Sequence, residues 1–319
     1  MYAGAMKDKH TAGRLVLEKV SHSYGDMSVL NDLTLVVNPG EIVVLVGPSG
    51  CGKTTILNLL SGHIEPVSGI IQREGIIRTV YQHDSLFPWL TVSENISIGL
   101  RLIEDEARRR KELNELVALV HLGDFRNHYP HQLSGGMRQR VELARVLAGE
   151  SDILLMDEPF GALDPITRTS VRNDFKNLEE FKKKTIVLVT HDVQEAFELA
   201  DRICLMDKGK IVQAGTPAEL LFKPANDFVK KFFDEQRLQL EYKSVTLKML
   251  WQFMNDDIDV TLPGKEIAAG KNIWQVLEFF SLNNEETIIV KNKEAAKKIN
   301  YALLMNAFTQ YKKQIHKPS

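Results

Sequence analysis

With 319 residues, 44% of them hydrophobic and 26% charged, the chain has the balance of an ordinary globular protein, which excludes the fibrous and disordered classes. A formal net charge of -2 gives no electrostatic reason to seek nucleic acid, whose backbone requires a concentrated basic surface, so no nucleic-acid partner is expected, with local basic patches left open. No apolar run reaches the roughly 18 to 20 residues of a membrane-spanning helix, and the opening "MYAGAMKDKH" lacks a signal peptide's apolar stretch.

In chain order, "RLVLEKVSHSYGD" and "SVLNDLTLVVNPGE" alternate like antiparallel strands joined by a turn at Gly25. "IVVLVG" (42–47), "DILLMDE" (152–158) and "TIVLVTH" (185–191) are short runs rich in Val, Ile and Leu without alternation. Such runs read as strands of a parallel sheet buried on both faces. "SGIIQREGIIRTVYQ" (68–82) reads as a short hairpin, and Ser93 to Leu122, with apolar positions at helical spacing, as a helical insert. From Pro224 a helical stretch closes the first domain, which we place at 14–238 with its insert at about 85–150; residues 243–319 form an accessory region. Cys51 and Cys204 show no metal-type spacing, which fits a reducing, cytoplasmic compartment.

Each buried run ends in chemistry, as ligand sites of α/β sheets do outside the carboxyl ends of strands. The first leads into "GPSGCGKTT", spanning Gly47, Pro48, Ser49, Gly50, Cys51, Gly52, Lys53, Thr54 and Thr55. Glycines there turn backbone amides toward phosphate oxygens, Lys53 reaches the β and γ phosphates, and Thr54 ligates Mg²⁺. The second run ends in Asp157, suited to holding Mg²⁺, and Glu158, suited to orienting or deprotonating an attacking water. Read alone, the two acids also fit a solvated loop or a helix cap. His191, ending the third run, is read as a γ-phosphate contact, with packing or capping as the other reading. Gln82 at a strand end offers an amide oxygen to complete the magnesium shell. Phe87 and Trp89 in "LFPWL" either pack inside the insert or form an exposed docking patch. His121, His128 and His131 lack accompanying acids or cysteines and read as surface residues.

"LSGGMRQR" (133–140) has the composition of a second phosphate cradle. With "GPSGCGKTT", Gln82, "ILLMDE", "GALD" (161–164) and His191 in that order, the sequence resembles the ATP-binding subunits of ABC transporters over about residues 14–235. The resemblance implies a P-loop ATPase of α/β class: a mixed core sheet with flanking helices, an antiparallel β subdomain and a helical insert. A small α+β appendage would follow it. It implies that Ser134, Gly135 and Gly136 contact the γ-phosphate held by a second copy's loop, so that two head-to-tail chains enclose two ATP molecules. Asp164 would lie at the seam between the copies, and Tyr24 would stack on adenine. Transmembrane permease subunits, an external solute-binding protein acting indirectly, and a place on the cytoplasmic face of the membrane are implied as well.

"MDEPFGALDPITR" and "VTHDVQEAFELADRICLMDKGKIVQAGTP" resemble importers of glycine betaine, choline and related osmoprotectants. "LFPWLTV" and "LSGGMRQRV" are more similar to nitrate, sulfonate and taurine importers. "KNIWQVLEFFSLNNEETIIVKNKEAAKKINYALLMNAF" (271–308) loosely resembles a single regulatory CBS unit of the osmoprotectant group. A plain dimerisation or docking appendage is the other reading of that stretch.

Overall fold

The computed structural model describes residues 12–80, 86–149, 151–177, 183–254, 265–283, 286–292 and 295–315. They form two compact units, the first made of 12–192 with 199–212 and the second of 193–198 with 213–315. Residue 238, the expected end of the first domain, therefore lies inside the second unit.

In the first unit, β1 (Arg14–Tyr24), β2 (Met27–Val37) and β4 (Ser68–Glu74) make a three-stranded sheet in the order β2-β1-β4. The pairing of β1 with β2 is antiparallel and closes at Gly25, whose φ of 57° suits a tight turn. Alternation places Leu15 with Leu17 and Leu33 with Leu35 on one buried face, and register shifts near Lys19 and Asp32, both at positive φ, bring Val20 and Leu30 into the same cluster.

The second sheet has six strands in the order β5-β6-β7-β3-β8-β9. Its members are β3 (Ile42–Val46), β5 (Ile77–Val80), β6 (Ile153–Asp157), β7 (Thr185–Val189), β8 (Arg202–Asp207) and β9 (Lys210–Gly215). The pairs β5/β6, β6/β7, β7/β3 and β3/β8 are all parallel. Every residue of β6 and β7 is buried, as strands covered on both faces must be. Because β6, β7 and β3 are neighbours, the three chemistry-bearing strand ends emerge side by side.

Among the described residues, the expected hairpin of 68–82 does not form. β4 runs antiparallel to β1 in one sheet, whereas β5 runs parallel to β6 in the other. The chain changes sheets at Gly75 (φ 118°) and Ile76, whose amide donates to Asp152 Oδ2 at 2.8 Å.

The helical insert carries α2 (Val92–Ser97), α3 (Glu106–Leu119) and α4 (Gly135–Leu147). Thr91 and Glu94 form a reciprocal cap at the start of α2, and the Asp105 carboxylate accepts from Ala107 and Arg108 amides at the start of α3. Val92, Ile96, Leu100, Val117, Val120, Leu133, Val141 and Ala144 give the insert a core of its own. Such a core lets the insert hold its shape as a body. α1 (Lys53–Ser61) packs on the core sheet against β6 and β7, and α5 (Pro165–Asn177), after β6, meets α3 of the insert.

The second unit includes α6 (Val193–Leu199) up to Glu198, α7 (Pro217–Phe222), α8 (Asp227–Phe232), α9 (Arg237–Ser244) and α10 (Leu247–Leu250). There follow β10 (Glu266–Ala268), α11 (Ile273–Asn283), β11 (Thr287–Asn292), β12 (Ala295–Asn300) and α12 (Tyr301–Ile315). β11 pairs in parallel with β10 and antiparallel with β12. The Glu241 carboxylate, 3% exposed, receives Arg237 Nε at 3.3 Å and Lys312 Nζ at 2.6 Å, joining α9 to α12. No helix among the described residues is long and apolar enough to cross a membrane.

Candidate functional site: a phosphate loop beside paired strand ends

After β3 the chain turns through Gly47, Gly50 and Gly52, all with positive φ. At Gly47 the need for glycine is steric, since a Cβ there would lie 2.3 Å from the Met206 carbonyl oxygen on β8. The turn delivers the chain to α1, which starts without a side-chain cap and without an acidic residue in its first turn. The first amides of α1 and its positive dipole end thus face outward for an anion. Lys53 Nζ lies inside the curl, donating to the carbonyls of Gly47 (2.8 Å) and Pro48 (3.0 Å). Pro48, Ser49, Gly50 and Thr54 are exposed along this rim, while Cys51 and Thr55 are buried beneath it.

Two strands over, beyond β7, Asp157 ends β6 with 4% exposure. A buried carboxylate and an exposed hydroxyl such as that of Thr54 are hard oxygen donors of the kind that would suit a magnesium ion shared with phosphate oxygens. No cluster of three His, Cys, Asp or Glu residues suited to a metal occurs among the described residues.

Glu158 follows with φ 49°, a left-handed backbone that costs a non-glycine residue on the order of 1 kcal/mol or more. Its amide donates to the Val189 carbonyl at the end of β7 (2.9 Å), and its Oε1 lies 3.0 Å from His191 Nδ1. The His191 side chain is 64% exposed and that of Glu158 22%, so the pair opens to the same side as the phosphate loop's strand end. Both residues earn their places through adjacent parallel strands.

Ser134 caps α4, its Oγ accepting from the Met137 amide at 3.2 Å. A capping hydroxyl keeps its own proton free to donate. Ser134 and Gly135 are exposed, and Gly136 half-buried. Asp164 caps α5 in turn: hydrogen bonds from the Thr167 side chain and amide hold its carboxyl below the ordinary range. Tyr24, about half exposed at the β1–β2 turn, packs edge-on against His22. Gln82 lies outside the described residues. Phe87 and Trp89 sit 5.5 Å apart at their ring centres, with Trp89 68% exposed. His121, His128 and His131 are engaged separately, with Asp174, Phe125 and Tyr129.

The ABC transporter family profile matches residues 30–161. The choline transport ATP-binding protein OpuBA of Bacillus subtilis is 40% identical over 296 residues, covering 88% of this chain and 76% of its own length. The chain belongs to the ATP-binding subunits of ABC transporters.

As an ABC subunit, it is an ATP-binding and ATP-hydrolysing protein. The carnitine transport ATP-binding protein OpuCA of Listeria monocytogenes is 40% identical, covering 86% of the ABC subunit and 72% of itself. The sulfate/thiosulfate import protein CysA of Pseudomonas syringae is 43% identical but covers only 70% of this chain and 74% of its own. The dimeric ATP-binding cassette MJ0796, solved with ADP and phosphate, superposes with a TM-score of 0.57 at 32% identity. That cassette is covered over 98% of its length and covers 63% of this one.

Two residues of the ABC site escape a reading of the sequence. Arg168 on α5 donates through Nη2 to the carbonyls of Gly161 (3.2 Å) and Leu163 (2.9 Å), while Nη1 lies 3.7 Å from Asp192, beside His191. Gln139 on α4 is buried and bonds the segment after β6. An Arg or Gln on an amphipathic helix ordinarily reads as a solvated face. The available signal was spacing: Gln139, Glu142, Leu143 and Val146 share the buried stripe of α4.

Proposed function

We propose that this ABC subunit powers uptake of an osmoprotectant such as glycine betaine or choline. The observation that carries the substrate class is extent of match. At 86–88% of the chain, the choline and carnitine relatives reach past residue 238, whereas the sulfate relative covers 70%. The order β10-α11-β11-β12-α12 supports reading the region within 243–319 as a single CBS-like unit.

In this reading the loop 47–55 wraps the phosphates of ATP and Lys53 neutralises the terminal ones. Thr54 and Asp157, together with Gln82, hold Mg²⁺, which when bound supplies positive charge against the phosphate oxygens. Glu158 accepts the proton of the attacking water or orients it, and His191, beside it, contacts the γ-phosphate. Tyr24 stacks on the adenine. Ser134, Gly135 and Gly136 reach the nucleotide of a second copy, with Asp164 at the seam. Hydrolysis then requires a closed head-to-tail homodimer, because donors at the N-terminus of α4 stabilise charge only once they meet the other chain's phosphate. Permease subunits anchor the pair at the cytoplasmic face of the membrane and receive solute from an external binding protein.

Glu158→Gln tests the site: it is expected to bind Mg-ATP, hydrolyse it at least a hundredfold more slowly and elute as a dimer with ATP on gel filtration. Wild-type turnover by this variant would end the assignment. Uptake of labelled choline, glycine betaine, sulfate, nitrate and taurine in a deletion strain tests the cargo. Loss confined to sulfate or to nitrate and taurine would replace the osmoprotectant reading.

A further inference from the structure

The side chain of Gln139 spans two pieces of the site. Its Nε2 donates to the Glu158 carbonyl at 2.7 Å, and its Oε1 accepts from the Ala162 amide at 2.9 Å. The orientation of the amide is fixed by chemistry, since a carbonyl only accepts and a backbone N–H only donates. Gln139 is 8% exposed, so neither bond competes with bulk water. The contact is close as well as polar: a Cβ on Gly136, in the first turn of the same helix, would stand 2.9 Å from the Ala162 carbonyl oxygen. α4 is thereby seated directly on the segment 158–162.

The residue so held is in an unfavourable backbone state. Glu158 has φ 49°, and a left-handed glutamate persists only where its surroundings over-determine it. Three backbone bonds do so: its amide to Val189, and its carbonyl to the Gly161 amide at 3.0 Å and to Gln139. Only the last comes from the insert. Releasing it frees the peptide after Glu158 to turn, and with it the direction in which the carboxylate leaves the chain toward His191.

We propose that Gln139 is a positioning residue that fixes the backbone of Glu158, and so its carboxylate, in register with the helix begun by Ser134. One side chain then links, within a single subunit, the donors offered to another copy's nucleotide and the carboxylate that serves its own. The inference rests on the reading of Glu158 given above.

The test compares Gln139→Met, which removes both bonds at similar volume, with Gln139→Glu, which keeps an acceptor for Ala162 and loses the donor to Glu158. Both are expected to lower ATPase kcat at least tenfold, with the Kd for a fluorescent ATP analogue within twofold of wild type. Melting followed by circular dichroism checks that each variant is folded. Merely structural damage would instead raise Kd in step with the fall in kcat, and that result would overturn the proposal. So would kcat within twofold of wild type in the Glu variant. Glu158→Gln run alongside separates the failures: inactive Glu158→Gln with active Gln139 variants removes this inference alone, whereas active Glu158→Gln removes the site assignment with it.

Discussion

At the scale of the residue, the site depends on charges and amides placed by backbone bonds more than by side-chain packing. The Glu41–Arg202 pair shows the same economy in the scaffold. Arg202 Nε lies 2.6 Å from Glu41 Oε1, and its Nη2 reaches Glu41 Oε2 and the Val36 carbonyl. The contact ties the start of β8 to the turn before β3. Burial on its own would raise the Glu41 carboxyl, but the Arg202 hydrogen bond and charge, with the Asn38 amide, outweigh it and hold the group below its ordinary value. Arg202 is held correspondingly high by the Glu41 hydrogen bond. A depressed carboxyl contributes stability above its unfolded pKa of about 4.3 and loses it as pH falls through the folded value. Arg202→Met is therefore expected to cost about 1–2 kcal/mol in urea unfolding at neutral pH. That difference should shrink below roughly pH 4; a difference constant through the acid range would contradict the account.

Elements set what residues cannot. Ser134 is both a candidate phosphate donor and the cap of the thirteen-residue α4, and substitution separates the roles. Ser134→Ala removes the cap, costing about 1 kcal/mol and a few degrees of melting temperature. Ser134→Asp keeps a capping oxygen and sets a favourable negative charge at the helix N-terminus, so its melting temperature should stay at or above that of wild type. Its ATPase should nonetheless fall more than tenfold, because the same charge confronts the second copy's phosphate. An active Ser134→Asp protein would leave Ser134 with capping alone. Element partners were also where the sequence misled. The phosphate loop and the ends of β6 and β7 are legible because their signals are local: a glycine pattern between a buried run and a helix, then acids and a histidine after apolar runs. The residues 68–82 carry equally good strand signals, yet nothing local states that β4 will join β1 and β5 will join β6. Gln139 and Arg168 were hidden for a related reason, since their importance lies in which backbone groups stand opposite them.

For the whole molecule, the second unit is closed by a buried carboxylate between its C-terminal helix and α9. Removing Lys312 leaves Glu241, 3% exposed, with Arg237 as its cationic partner at 3.3 Å. Lys312→Met is expected to cost about 1.5–3 kcal/mol, the range for hydrogen bonds to charged groups, read as faster amide hydrogen exchange along α12. Unchanged exchange there would show that aromatic packing, such as Phe308 on Tyr242 at 5.5 Å, holds the helix without it. ATPase kinetics in the same variant report whether the accessory region bears on turnover.

The amino-acid order by itself determined the catalytic vocabulary and the family, because phosphate loops, strand-end acids and the α4 cap are built from residues adjacent along the chain. Tertiary structure alone decided which strands are neighbours, that Glu158 is held in a left-handed backbone, and that Gln139 and Arg168 grip its loop. Those outcomes come from hydrogen bonds between segments far apart in sequence, and a backbone carbonyl or amide looks the same in every residue until folding chooses its partner.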